Sequence, residues 1–209
     1  MPADVRALDD LAAQLQLAVL RDETTGPDAF RRAARRLGAL LAARALQDVP
    51  SQPTTVTTPL GPAPAVRPAH PVVAVPVLRA GLGLLDGVAD VVPDVRVGMI
   101  GMQRDETTLE PTQYYRNVPP LEDAWVLVLE PMLATGGSAA AAITQLDVSE
   151  AAGVTVLSVV ATRQALDRIA GVHPSVRFVV GAVDPELDGN GFIAPGLGDF
   201  GDRLFGTTE

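Results

Sequence analysis

From Val72 onward, short unbroken apolar runs alternate with segments whose apolar residues recur at helical spacing. The runs are VVAVPVL (Val72–Leu78), RVGMIGM (Arg96–Met102), WVLVLE (Trp125–Glu130), VTVLSVVA (Val154–Ala161) and VRFVVGAV (Val176–Val183). Their length and β-branching predict strands buried on both faces. Between several of them lie GLLDGVADVV, SAAAAITQLDVSEAAG and RQALDRIAGV, which have the length and spacing of crossover helices. Strand alternating with helix predicts an α/β fold, a parallel sheet flanked by helices on both faces. Ligands of such sheets collect at the carboxyl ends of the strands, which singles out Arg79, Arg104 and the bend after Glu130.

The flanks read differently. Leu8–Val19 and Asp28–Leu46 carry helical periodicity, and Thr25, Gly26 and Pro27 separate them. Val49–Pro71 holds too many prolines for a helix or a central strand, and predicts an edge hairpin or a connecting arm. The tail from Asp184 is rich in Gly and acidic residues, yet it contains Phe192, Phe200 and Phe205 in a chain that is 4% aromatic, so it is expected to cover a site. At 209 residues the chain suits a single domain, 1–209, with residues 1–71 as helices and arm, 72–184 as the α/β core and 185–209 as a small cover.

Composition narrows the partners. No apolar run approaches the roughly 18 residues of a membrane span. The start, MPADVRALDD, lacks the basic end of a secretory signal, so a cytoplasmic protein is expected. Without cysteine there is no thiolate metal site, disulfide or cysteine nucleophile. A net charge of −9 disfavours nucleic acid. All 16 cationic side chains are Arg, which leaves guanidinium to hold phosphates.

The most informative stretch is VLVLEPMLATGGSAAAAITQL, Val126–Leu146. A strand ending in Glu130 delivers a carboxylate to the sheet edge, and the small residues after it let backbone N–H groups converge on an anion beside a helix N-terminus. Thr135 and Ser138 add hydroxyls, and Gly136 and Gly137 permit close approach. The same residues also suit a plain strand-to-helix turn with Ser138 as N-cap. No lysine follows the glycines, so this is not a P-loop, and GLGLLDG (Gly81–Gly87) fails the dinucleotide pattern at Asp86.

LEPMLATGGSA resembles the ribose-5-phosphate loop of type I phosphoribosyltransferases, in the form found in the uracil phosphoribosyltransferase family. VPVLRAGLGLLDG, RDETTLEPTQYY and GFIAPGLGDFGDRLFGT agree in order and spacing, covering most of Val72–Thr207, and LRDETTGPDAFRRAARRLGALL extends a weaker likeness toward the N-terminus. The resemblance implies the type I phosphoribosyltransferase fold, a mostly parallel sheet with N-terminal helices and arm and a C-terminal hood. It implies transfer of ribose 5-phosphate from 5-phosphoribosyl 1-diphosphate (PRPP) to uracil, giving UMP and diphosphate in pyrimidine salvage, with Mg2+ carried mainly by PRPP.

Carried over by motif, Arg79 and Arg104 hold the leaving diphosphate, the latter from a mobile loop. Glu130, Pro131, Met132, Leu133, Ala134, Thr135, Gly136, Gly137 and Ser138 bind the ribose and its 5-phosphate. Backbone around Ile193, Gly198 and Phe200 reads uracil, and Asp199 lies near the donor and its metal. The family commonly has Asp where Glu130 stands and an aromatic at Gln103. Ala134 replaces the acid of purine-using relatives. The family also suggests a homodimer or larger homo-oligomer and a GTP effector. Alternatives are a related enzyme with another base, a degenerate binding module, which would require losses at Arg79, Thr135 or Asp199, and a pyrimidine-responsive RNA-binding regulator, disfavoured by the acidic, lysine-free chain. His70 and His173 are expected to be structural or exposed.

Overall fold

The computed structural model describes residues 3–104 and 111–207. The N-terminal part contains β1 (Asp4–Ala7), α1 (Leu11–Arg21), α2 (Pro27–Ala45), β2 (Ser51–Thr58) and β3 (Gly61–Pro68). The core continues with β4 (Val72–Leu78), α3 (Leu82–Val91), β5 (Arg96–Val97), β6 (Met99–Arg104), β7 (Pro111–Asn117), β8 (Trp125–Leu129) and β9 (Met132–Leu133). Then follow α4 (Gly137–Leu146), β10 (Gly153–Thr162), α5 (Arg163–Val172) and β11 (Arg177–Asp184). The hood consists of β12 (Glu186–Leu187), β13 (Ile193–Ala194) and α6 (Phe200–Phe205).

The main sheet runs β1-β11-β10-β8-β4-β6-β7. Its pairs are parallel except β6 with β7. The apolar runs form its centre, with every residue of β8 buried. Phe30, Leu37 and Leu41 of α2 and Leu84 and Val88 of α3 cover one face. Ala139, Ile143 and Leu146 of α4 and Leu166 and Ile169 of α5 cover the other. Each buried Leu, Ile, Val or Phe contributes about 1.5–3 kcal/mol by leaving water, which is why these two apolar stripes fix the helices to the sheet.

The structure corrects several boundaries. The first helix starts at Leu11, where the Asp10 carboxylate accepts the Ala13 N–H at 3.0 Å, and it continues to Arg21. Pro27 opens the second helix at its first position, where a missing N–H costs nothing. The run from Arg96 is split at Gly98 into β5 and β6, both paired with β4. The short β1 and the polar β7, which the apolar pattern did not mark, form the two edges of the sheet. Val49–Pro71 forms a hairpin arm, in which β2 and β3 pair antiparallel with each other and, among the described residues, not with the main sheet. At its tip Leu60 is fully exposed. Both histidines are structural: His70 Nδ1 lies 2.8 Å from Asp123, and His173 Nε2 lies 3.0 Å from the Thr144 hydroxyl.

Candidate active site

The connections leave β4 toward β6 on one side, whereas β8 on its other side continues to β10 and β11. With α3 and α4 on opposite faces of the sheet, a crevice opens at the carboxyl ends of β4 and β8, the switch point where doubly wound sheets bind ligands. A cavity of about 250 Å³ lies there. Val77 and Leu78 line it from β4, Met102 from β6, and Glu130 with the continuous run from Met132 through Ala139 from the loop. Pro131 is buried beneath the loop.

Three devices hold this loop. Met132 and Leu133 pair with Val160 and Ala161 as β9. The Ser158 hydroxyl lies 3.0 Å from the Pro131 carbonyl. The Thr162 hydroxyl donates to the Ala134 carbonyl at 2.6 Å while accepting the Ala165 N–H at 3.0 Å as the N-cap of α5. Gly136 then turns left-handed at φ 77°, and a Cβ there would stand 2.8 Å from the Ala165 carbonyl oxygen. Gly136, and not Ser138, is the N-cap of α4, and no side chain caps the helix. Its first-turn N–H groups are thus presented to the cavity, in the arrangement that binds phosphate oxygens. Arg168 adds a guanidinium that the motif did not include. Its Nη1 is 3.4 Å from where a Gly137 Cβ would stand and 3.5 Å from the Thr135 carbonyl.

Glu130 occupies the cavity as β8 ends. Its surface is partly open to the crevice, but protein surrounds the carboxyl, and this burial pushes its pKa up to about 8, opposed by a hydrogen bond from the Met132 N–H. A carboxyl poised in this way exchanges hydrogen bonds with hydroxyl groups in either protonation state, as a ribose ring requires.

Arg79 follows β4 directly. Gly81 lets this turn press against the sheet, since a Cβ there would stand 2.4 Å from the Leu129 carbonyl oxygen. The exposed Arg79 side chain reaches the hood: Nη2 is 3.4 Å from Asp202, and the guanidinium lies 5.6 Å from the Phe205 ring centre. The Arg104 side chain and the segment 105–110 lie outside the described residues.

In the hood, Ile193 and Phe200 are buried in one apolar cluster with Leu197, against which Met132 and Ala134 of the loop also rest. Phe200 meets Phe30 of α2 edge-on at 5.1 Å. Gly198 is left-handed at φ 78°, and Asp199 caps α6 by accepting the Asp202 N–H at 2.8 Å. The fold thus brings the loop, Arg79, Ile193 and Phe200 to one end of the sheet. The motifs had not signalled Ser158, Thr162 or Arg168. For the first two, the sign was a hydroxyl inside a strand that, Thr155 apart, is otherwise apolar.

A larger concavity, about 460 Å³, lies around His173 and Arg177 at the amino ends of β10 and β11. It faces the wrong edge of a parallel sheet for ligand chemistry.

The profile of the uracil phosphoribosyltransferase family matches residues 7–207. The chain belongs to this family. It is 42% identical over 205 residues to a uracil phosphoribosyltransferase of Thermus thermophilus, covering 97% of this chain and 99% of that one. A family member from Kineococcus radiotolerans is 47% identical over 196 residues, covering 91% and 93%. The solved structure of an Aquifex aeolicus protein superposes with a TM-score of 0.92 at 34% identity, covering 98% and 99%. A hypoxanthine phosphoribosyltransferase of Staphylococcus aureus shares the fold at a TM-score of 0.51 and 15% identity, over 75% of this chain and 76% of that one. The type I phosphoribosyltransferase fold expected for the family is the one observed.

Proposed function

We propose that the chain transfers ribose 5-phosphate from PRPP to N1 of uracil, forming UMP and diphosphate, as an enzyme of pyrimidine salvage in the cytoplasm. The observation that carries this reading is the uncapped N-terminus of α4 behind the left-handed Gly136, with Glu130 in the same cavity. The amides of Thr135 to Ser138 hold the 5-phosphate, and Glu130 holds the ribose hydroxyls. Arg79 and Arg104 take the diphosphate. As the bond from C1 of the ribose to diphosphate breaks, positive charge develops on the ring and negative charge on the leaving oxygens. Guanidinium groups aimed at those oxygens stabilise the transition state more than the ground state.

Uracil is read by main-chain groups near Ile193, Gly198 and Phe200. Fixed N–H and C=O groups match its O2, N3–H and O4, and cytosine inverts the pattern at N3 and C4. Each buried polar group left unpaired costs about 1–3 kcal/mol.

Mg2+ takes oxygen ligands, commonly one or two carboxylates together with substrate phosphates and water. Among the described residues no group of three or more His, Asp or Glu converges. In this reading an ion would be carried mainly on the diphosphate of PRPP, with Asp199 as its candidate protein carboxylate. When bound, Mg2+ neutralises charge on the leaving group. We read the β2–β3 arm as a contact between copies in a homodimer or larger homo-oligomer, and GTP as a candidate effector. Diphosphate release that depends on added uracil tests the central reading, and release supported equally by hypoxanthine, or none with either base, rejects it.

A further inference from the structure

The short connection from Pro195 to Gly198 joins β13 to α6 and contains two glycines, the residue type with the most backbone freedom to lose. Three side chains, one of them 175 positions away, nevertheless hold its backbone. Asp184, buried at the carboxyl end of β11, accepts the Gly196 N–H at 3.0 Å. The same carboxylate receives Arg21, the last residue of α1, through Nη2 at 2.6 Å and Nη1 at 2.9 Å. Arg21 Nη1 also donates to the Gly196 carbonyl at 2.7 Å. Both polar groups of Gly196 are thus engaged by one bidentate ion pair.

Arg203 completes the arrangement. Its Nη1 donates to the Leu197 carbonyl at 2.8 Å and to the Leu20 carbonyl, and its Nη2 donates to the Asp22 carbonyl. Its guanidinium lies 4.6 Å from the Phe30 ring centre. The carbonyls of Leu20 and Asp22 lie at the C-terminus of α1, where helix carbonyls lack internal partners and favour a cation. The end of the first helix and the last helix therefore grip Gly196 and Leu197 together. Among the described residues no hydrogen bond engages the N–H or C=O of the next residue, Gly198.

We propose that Arg21, Asp184 and Arg203 are positioning residues that fix the orientation of the Gly198 peptide and thereby set the affinity and selectivity for the acceptor base. This inference rests on the reading of the hood as the uracil site. The clamp differs from general support of the fold. Helix α6 is already seated by Phe200 on Phe30, and the loop that would hold the donor is anchored through Ser158, Thr162 and β9. Removing the clamp leaves those contacts in place and loosens the backbone that would read the base. Pre-organisation of a recognition loop acts on the affinity of its own ligand.

The test compares the full-length protein with Arg21→Ala, and with Arg21→Lys in case the alanine variant does not fold. Lysine supplies one directed hydrogen bond where the planar fork supplies several. In Arg21→Ala the KM for uracil should rise about tenfold while the KM for PRPP stays within about twofold, and discrimination against cytosine should fall. Arg21→Lys should be intermediate. Amide hydrogen exchange of the peptide spanning 193–199 should quicken in both variants, with exchange in the 126–138 peptide unchanged. Equal shifts in both KM values, or unchanged values with unchanged exchange, overturn the clamp. If the unsubstituted chain makes no UMP, the functional reading fails, and exchange at 193–199 then decides the clamp by itself.

Discussion

Residues 130–138 are held by the strands beside them, through the β9–β10 pairing and the hydroxyls of Ser158 and Thr162 within the same sheet. Within residues 193–200, β13 pairs over two residues with β12, Ile193 and Phe200 are buried in the core, and Gly196 and Leu197 are held by Arg21, Asp184 and Arg203. The loop that would hold the donor is an extension of the sheet and inherits its rigidity. The hood is seated by Ile193 and Phe200 in the core, and the backbone of Gly196 and Leu197 is held by guanidinium groups that take up its carbonyls. A site that must grip one substrate tightly and read the other by its hydrogen-bonding edge gains from this division, because each part can be disturbed without the other.

Arg79 joins the two parts, since it follows β4 and touches Asp202 and Phe205 of the hood. Arg79→Ala should lower kcat by about 10²–10³, the usual loss when a charge-stabilising donor is removed. Its side chain is 58% exposed, so Tm should hardly move, and near-normal kinetics would remove it from the reaction. The donor side alone is struck by Gly136→Val. A β-branched residue at φ 77° also drives a Cβ into the Ala165 carbonyl. Displacing the loop by an ångström should cost about 10²-fold in kcat/KM, with a raised KM for PRPP and amide exchange at the hood unchanged.

Glu130 offers a subtler probe. Burial holds its carboxyl at about 8 against an ordinary 4.5, so the native protein keeps a proton that the unfolded chain gives up. That contribution to stability is complete below pH 4.5 and is lost as pH rises through 8. Glu130→Gln keeps the neutral shape at every pH. Its Tm should match the unsubstituted protein near pH 5 and exceed it at pH 9, and parallel curves would contradict the assigned environment. The smallest effect is expected for Arg168→Ala, where an exposed guanidinium beside Gly137 would add long-range attraction to a phosphate held at the proposed site. The KM for PRPP should rise about threefold, less at high salt, with the KM for uracil unchanged.

The same division explains what the sequence disclosed. The strands, the crossover helices and the donor loop are contiguous patterns, so period, β-branching and the glycine pair made them legible. The resemblance placed Ile193, Gly198 and Phe200, which the structure brings to the same end of the sheet as the donor loop. The supports were not legible. Ser158 bonds a carbonyl 27 positions away, and Arg21 meets Asp184 across 163 positions. No local pattern pairs such residues, because each pairing is created only when separate elements pack, β10 beside the loop after β8 in one case and β11 beside α1 in the other. The polar β7 escaped for another reason: an edge strand needs no apolar alternation to hold its place.

The most direct test supplies labelled uracil and PRPP to the purified protein and follows both products. The account predicts label in UMP mole for mole with diphosphate, and no diphosphate when uracil is left out. Diphosphate accumulating without uracil, or uracil recovered unchanged, would contradict it.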